Sequence, residues 1–369
     1  MTSSRSAVLR DLAGPFSIET VTVDPPGPGE ALVRIVAAGL CHTDQFGRSG
    51  FLGDTFLPAI LGHEGAGIVE AVGPGVTTVA PGDHVVLSFD SCGSCDACIA
   101  GEPTNCVSFE LHNITGARPD GSGCVTDASG ARVTSRWFGQ SSFGEFTLAT
   151  VRNMVKVGQD VPLTLLGPLG CGIQTGAGVV LNTARLAPGQ SIGVFGVGAV
   201  GLAAVMAAKL SGASEIVAVD LHPARLELAQ ELGATRVVDG KDAELVAAVR
   251  GDGPGLDVTF DTTGVSSVMS AAVDALRRPG KCILVGAGLD SLTVHPAALA
   301  GKTVTYVYEG SAVPQVFIPR LIDLWKRGLF PFDRLITEYP FEAIDQAEAD
   351  ANAGTAIKPV LLLEPPAGA

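Results

Sequence analysis

Ser191-Ile192-Gly193-Val194-Phe195 runs directly into Gly196-Val197-Gly198-Ala199-Val200-Gly201 and on into the apolar stretch Leu202–Leu210. The first five residues read as a buried strand and the stretch after the glycines as a helix. Glycine is common in this chain, 47 of 369 residues, so Gly-x-Gly-x-x-Gly alone carries little weight. Between a strand and a helix it gains a physical meaning. The glycines permit a tight turn and let the backbone approach a pyrophosphate, to which the helix N-terminus offers free N–H groups. The next apolar run, Ile216–Val219, ends in Asp220, 19 residues beyond Gly201. A carboxylate there accepts hydrogen bonds from both hydroxyls of an adenosine ribose and repels a 2′-phosphate, which favours NAD over NADP. The plainer reading of Asp220 is a cap on the helix that begins at Pro223.

Outward from this stretch the chain changes texture twice. Residues 1 to about 170 carry short β-rich runs (Ala31–Ala38, Ala66–Val72, His84–Phe89) cut by Pro25-Pro26-Gly27, Gly73-Pro74-Gly75 and Pro81-Gly82. That punctuation predicts a small barrel-like β domain. From about 173 to 310, apolar runs alternate with helical stretches, of which Ala199–Leu210 and Pro223–Leu232 are the clearest. Such alternation predicts a parallel sheet with crossover helices. From 311 to 369 the texture is mixed again, ending in the strand-like Lys358–Leu363.

Composition excludes several classes of function. Hydrophobic residues make up 46% of the chain, yet no apolar run reaches the roughly 18 to 20 residues that span a bilayer. The segment from Met1 to Phe16 contains Arg5 and Arg10 and lacks an apolar signal core, so a cytoplasmic location is expected. Acidic residues outnumber basic ones 38 to 24, a net charge of −14, which argues against nucleic-acid or membrane partners.

The eight cysteines are placed unevenly. Cys92, Cys95, Cys98 and Cys106 bring four thiolates within fifteen residues, the pattern of a closed, structural zinc site. The same ligands would accept an iron–sulfur cluster, although nothing else in the chain points to electron transfer. A second set is dispersed. Cys41 opens Cys-His-Thr-Asp after the run Ala31–Ala38, His63 sits in Gly62-His63-Glu64-Gly65-Ala66-Gly67, and Cys171 lies in Gly170-Cys171-Gly172 where the texture changes and an interdomain cleft is expected. Each alone is weak, because a lone cysteine is usually a small core residue. Together, two thiolates and an imidazole neutralise Zn²⁺ and leave a fourth position open.

With these motifs assembled, the chain resembles the zinc-containing medium-chain alcohol dehydrogenases over nearly its whole length. The resemblance rests on Gly62-His63-Glu64-Gly65-x-Gly67 with Val69 and Gly73, on the four-cysteine lobe, and on Gly170-Cys171-Gly172-x-x-Thr175-Gly176. Cys41-His42-Thr43-Asp44, Cys92-Gly93-Ser94-Cys95-Asp96-Ala97-Cys98 and Phe138-Gly139-Gln140-Ser141-Ser142-Phe143 are similar to the aryl (benzyl) alcohol dehydrogenase branch.

The resemblance implies an α/β protein. A GroES-like β-rich catalytic domain would comprise residues 1–172 and 311–369, with a structural zinc lobe at about 90–107, around an NAD-binding Rossmann domain at 173–310. It implies two zinc ions per subunit, NAD as cofactor, a homodimer or homotetramer, and reversible oxidation of a primary aryl or allylic alcohol to the aldehyde. Cys41, His63 and Cys171 would hold the catalytic zinc and Cys92, Cys95, Cys98 and Cys106 the structural one. Asp44 would orient His63, Glu64 would lie behind the metal, and Thr43 would take the proton of the alcohol. Gly196, Gly198 and Gly201 would cradle the pyrophosphate, with Asp220 on the adenosine ribose. Thr175 and Val200 would press on the nicotinamide, and His42, Arg225 and Lys358 would reach the cofactor's phosphates or adenosine ribose. Phe89, Trp137, Phe138, Ala287 and Tyr308 would line the substrate channel.

The sequence departs from the best-known members at Phe46, where a proton-relaying histidine is expected. The loop from Glu110 to Arg136, with Arg118, Arg132, Arg136 and Cys124, has no assigned role, nor has Cys282. Two rival readings remain. A dehydrogenase of a formaldehyde–thiol adduct would need those arginines to bind a carboxylate. A non-catalytic binding protein would not need the intact ligand set.

Overall fold

The computed structural model describes residues 1–12, 14–48, 50, 56–286, 288 and 290–363. The chain divides into two compact units. The first comprises Met1–Cys171, Val313–Ile322 and Asp333–Ala369, and the second Gly172–Ala312 and Asp323–Phe332.

In the second unit the strands stand in the order Arg236–Asp239, Glu215–Asp220, Ser191–Phe195, Leu256–Asp261, Leu276–Leu284 and Lys302–Tyr306. All neighbouring pairs are parallel. Numbered by sequence this is 3-2-1-4-5-6, the doubly wound order, with its switch point beside Ser191–Phe195. Ile192, Val194 and Phe195 are fully buried, as a parallel strand covered on both faces requires.

The first unit is β-rich. Glu30–Gly39 pairs antiparallel with Glu64–Val72, Phe146–Thr150 and Lys358–Leu362. The last pairing ties the C-terminal strand to the segment that leads into Cys41. A second sheet contains Thr2–Leu9, Phe16–Val23, Ala59–Ile60, Val125–Thr126 and Arg132–Val133.

The tail does not return to the first unit as one piece, as residues 311–369 were expected to do. Asp323–Phe332 belongs to the second unit, as do Gly172 and residues 311–312. Within that segment Phe330 and Phe332 are fully buried, with ring centroids 6.4 Å apart, and Trp325 lies 5.8 Å from Phe332.

The loop 110–136 gains a role. Glu30, buried at the start of its strand, accepts two parallel hydrogen bonds from Arg118 (2.9 and 3.0 Å), one from Arg136 (3.1 Å) and one from the Gly27 N–H (2.9 Å). Arg136 also donates to the Leu148 carbonyl, and Arg118 to that of Gly123. One carboxylate thus stitches the loop to the β domain. Burial opposes the charge, but Arg118, the Gly27 N–H and Arg136 together hold the Glu30 pKa below its usual value. A depressed carboxylate stabilises the fold above its unfolded pKa, and that stability is lost as pH falls through the folded value. Glu30→Gln is therefore expected to cost roughly 3 kcal/mol at pH 7, because Arg136 stays buried without its charge partner. Thermal unfolding of variant and wild type should converge only below the ordinary carboxylate range. Equal midpoints at pH 7 would show that the network is not stabilising.

Candidate metal centre and dinucleotide site

The metal centre begins at a helix N-terminus. Asp44 lies in the first turn of His42–Arg48, and its Oδ2 accepts the Cys41 N–H at 3.1 Å, the carboxylate half of a capping box. Its Oδ1 accepts from three donors: the Gly62 N–H (3.0 Å), His63 Nδ1 (2.8 Å) and Trp137 Nε1 (3.1 Å). With Nδ1 committed to Asp44, His63 presents Nε2, which is buried and has no hydrogen-bond partner among the described residues. Cys171 is set by its own segment, where the Gly170 carbonyl accepts from Ser88 Oγ at 2.6 Å.

The structure brings together one ligand atom each from Cys41, His63, Cys171 and Glu64, all within 4.8 Å of one another. A tetrahedral ion with sulfur about 2.3 Å away keeps its ligands roughly 3.5 to 4 Å apart, so the cluster has the right size. The electrostatics agree. A hydrogen bond with Cys171 draws the Cys41 thiol well below its usual pKa against the cost of burial, with Lys358 and His63 adding to the effect. Burial disfavours charge on His63, yet Asp44 and Cys41 raise its pKa well above normal. One thiol drawn toward ionisation, a second beside it and an imidazole nitrogen without a hydrogen-bond partner among the described residues make a donor set suited to Zn²⁺, whose binding displaces the His63 proton.

The second cluster, Cys92, Cys95, Cys98 and Cys106, also falls within 4.8 Å. The helix Asp96–Ile99 inside this lobe has no buried residue, so the lobe has little core of its own. Cys92 Sγ accepts N–H bonds from Ser94 and Cys95 that lower its pKa to about 5, the thiolate form that a metal requires.

In the second unit the three motif glycines do different things. Gly196 has φ of 84°, a conformation that favours glycine. A side chain at Gly201 would strike the Gly196 carbonyl, whereas Gly198 faces open space, room that a pyrophosphate fills. Asp220 ends its strand as expected. Its Oδ2 accepts the Val197 N–H at 2.8 Å inside the glycine loop, and Oδ1 accepts the His222 N–H at 3.0 Å. Arg225 approaches Asp220 to 3.9 Å, and its buried Nε has no partner among the described residues. A carboxylate at the strand end, an open glycine and an orphan guanidinium donor fit a dinucleotide. Thr175, on the helix Gly172–Gly178, donates to Glu309 Oε2 at 3.4 Å, and Gln174 Nε2 does so at 3.0 Å. Neither Glu309 nor Gln174 was singled out from the sequence.

Several expected roles need correction. Lys358 is not a solvated charge. It is buried, and its ammonium donates to both oxygens of Glu64 (2.9 Å each) and to the Leu40 carbonyl (3.1 Å), which uses its three donors. The metal cluster's charge explains this: an anionic site with a buried carboxylate needs a fixed cation. Trp137 is not a channel wall. It is fully buried between Phe56 and Phe138, with its N–H on Asp44. Phe138 stacks on the His63 ring at 4.7 Å, and Phe89 packs on Phe109. Tyr308 is half exposed against Tyr306, and Ala287 lies outside the described residues. The first unit does have a cavity of about 770 Å³, lined by Phe56, Leu57, Leu111 and Ile114 with Glu110 and Arg132, but not by Phe89, Trp137, Phe138 or Tyr308. Arg118 and Arg136 are committed to Glu30, so they are not waiting for a substrate carboxylate.

The sequence reading also missed Gln140. Its Oε1 accepts the Gly65 N–H, and its Nε2 donates to the His63 carbonyl at 2.8 Å and to that of Ser88 at 3.1 Å. The segment holding it is bent tightly, with φ of 51° at Phe138, 68° at Gly139 and 61° at Ser141. Such non-glycine residues cost on the order of 1–3 kcal/mol each and persist where the surroundings fix them.

Comparison with known proteins places this geometry. Residues 27–159 match the alcohol dehydrogenase GroES-like domain and residues 199–326 the zinc-binding dehydrogenase domain. Geraniol dehydrogenase of Castellaniella defragrans is 46% identical over 367 residues, covering 98% of each chain. The crystal structure of an alcohol dehydrogenase zinc-binding domain protein from Burkholderia ambifaria superposes with a TM-score of 0.95 at 46% identity, over 99% of this chain and 100% of that one. Benzyl alcohol dehydrogenase from Acinetobacter calcoaceticus does so with a TM-score of 0.94 at 41% identity and the same coverage. The chain belongs to the zinc-binding medium-chain alcohol dehydrogenase family and is a zinc alcohol dehydrogenase.

Proposed function

We propose that this enzyme oxidises a bulky apolar primary alcohol, of the benzylic, cinnamylic or terpenoid kind, reversibly to its aldehyde with NAD as acceptor. The observation that carries this reading is the intact Cys41–His63–Cys171 set, with His63 Nε2 aimed into it, in a chain similar along its length to geraniol and benzyl alcohol dehydrogenases.

Two zinc ions per chain suit the two clusters. Bound at Cys41, His63 and Cys171, zinc supplies Lewis acidity that lowers the pKa of an alcohol hydroxyl toward neutrality. The protein does the rest. Asp44 fixes the tautomer and plane of His63. Thr43, in the first turn of the helix, has its Oγ1 3.8 Å from Cys41 Sγ and is assigned the hydroxyl proton on the strength of that proximity. Glu64, paired with Lys358, balances charge behind the ligands. The glycine loop and the first turn of Ala199–Leu210 hold the pyrophosphate, Asp220 holds the adenosine ribose, and Arg225 supports it. Thr175 and Val200 are assigned to the face of the nicotinamide. Alignment of the two reactants, rather than any covalent step, is the protein's main contribution.

A cytoplasmic location suits eight cysteines that form no disulfide. None of the described helices is long and apolar enough to cross a membrane. The edge strand Lys302–Tyr306, with Tyr306 half exposed, supports assembly into a homodimer or homotetramer.

Three experiments follow from this reading. NAD-linked kcat/KM should favour benzyl alcohol and geraniol over ethanol by about tenfold or more, as apolar pockets typically discriminate; a preference for sorbitol or for a formaldehyde–thiol adduct would overturn it. NAD should be preferred over NADP by on the order of 10²-fold, since a buried carboxylate beside a phosphate is costly. Asp220→Gly should narrow that gap and also weaken NAD, because the Val197 N–H loses its acceptor; equal use of both cofactors by the unaltered enzyme would refute the assignment. The third concerns the proton. Phe46 cannot relay it, and His42 is exposed on the first helical turn. Thr43→Ala should reduce alcohol oxidation by about 10²-fold or more, the usual weight of an acid–base group, while Thr43→Ser should not. His42→Gln should weaken NAD binding rather than slow the chemical step. Restoration of a slowed His42→Gln enzyme by amine buffers would instead make His42 the proton's exit.

A further inference from the structure

We propose that Trp137 is a positioning residue for the metal ligand His63, acting through its indole N–H on Asp44, and that Trp137–Ser141 forms a clamp around that histidine. The inference rests on the zinc assignment of Cys41, His63 and Cys171.

Three side chains of one short segment meet His63 in three different ways. Trp137 Nε1 donates to Asp44 Oδ1, the oxygen that also receives His63 Nδ1. Phe138 lies against the imidazole face, 4.7 Å between centroids and 29° between planes. Gln140 Nε2 donates to the His63 carbonyl. The ring's tautomer, its plane and its backbone are each fixed by a different neighbour. The segment is itself anchored, because Ser141 Oγ accepts the Trp137 N–H at 2.9 Å and donates to the Ile60 carbonyl at 2.6 Å.

The indole N–H is the part of this clamp that packing alone does not explain. The ring would fill its place between Phe56 and Phe138 equally well without a polar atom. The N–H instead points at a carboxylate oxygen that already has two donors. A third donor draws charge density from Oδ1 and fixes its direction, so the imidazole cannot pivot about the Asp44 contact. Partners of this kind around a metal ligand typically change metal affinity by about 10- to 100-fold when removed. Full burial of Trp137 leaves no face for a substrate.

The test uses the zinc-loaded enzyme and follows metal release to a chelator with a chromogenic indicator, alongside loss of NAD-linked turnover. The phase that tracks turnover reports the Cys41–His63–Cys171 zinc, and the other phase the four-cysteine lobe. Trp137→Phe keeps one aromatic ring and removes the N–H with the five-membered half of the indole, a loss of packing for which Phe56→Leu is the control. It should speed the turnover-linked phase about tenfold or more and leave the lobe phase unchanged, and KM should change alike for benzyl alcohol and ethanol. Phe56→Leu disturbs the same aromatic cluster without touching the N–H and should leave both phases near wild type. Wild-type release from Trp137→Phe would overturn the proposal. So would equal acceleration of both zincs, or the same acceleration in Phe56→Leu, since either marks general loosening. A KM rise for benzyl alcohol alone would make Trp137 a pocket wall after all. A wild-type chain without a turnover-linked zinc would remove the zinc assignment itself, a failure visible before any variant is compared.

Discussion

The carboxylate of Asp44 accepts hydrogen bonds from the Cys41 N–H, the Gly62 N–H, His63 Nδ1 and Trp137 Nε1. Those donors come from a helix start, a strand entry and a tightly bent segment nearly a hundred residues away. Because each donor has one good direction, a single buried anion sets the relative position of all three elements. Two of the elements carry proposed metal ligands, Cys41 and His63. The third proposed ligand, Cys171, follows Gly170, whose carbonyl accepts from Ser88. Geometry of the metal site is therefore a consequence of how the first unit folds. The cost of desolvating Asp44 is offset only while all of its partners are in place.

Behind the ligands lies a second buried charge pair, Glu64 with Lys358. It joins the strand Glu64–Val72 to the C-terminal strand Lys358–Leu362, both neighbours of Glu30–Gly39. Burial pushes the Glu64 carboxyl up and the lysine pulls it back, so neither charge is stable there alone. The Glu30–Arg118–Arg136 network follows the same logic at the opposite end of the Glu30–Gly39 strand. The Asp44, Glu64 and Glu30 carboxylates each sit in a hydrogen-bonded group, and each group binds segments distant in sequence.

Features that depend on neighbours in the chain were legible in the sequence. The strand Ser191–Phe195 and the helices Ala199–Leu210 and Pro223–Leu232 lie where periodicity and glycine punctuation put them. Both cysteine groups come together as spacing and motif suggested. Strand ends were less visible: Leu276–Leu284 begins six residues before the apolar run that opens at Cys282, because Arg277, Arg278, Pro279 and Gly280 disguise it. Features that depend on remote partners were not legible. The sequence does not show that Lys358 meets Glu64, and Trp137 reads as a flat apolar wall until its N–H is seen on Asp44. Gln140 carried a weak signal, an amide inside an otherwise apolar and small-residue segment that must be satisfied if buried.

Two clusters have donor sets that could hold a metal, one of four cysteines and one of Cys41, His63 and Cys171 with Glu64. Zinc content per chain, measured beside activity, tests this most directly. Fully active enzyme should hold two zinc ions, and Cys171→Ala should remain folded, keep one and lose turnover. One zinc per chain in fully active wild-type enzyme, or a Cys171→Ala enzyme that keeps both zinc and turnover, would contradict it.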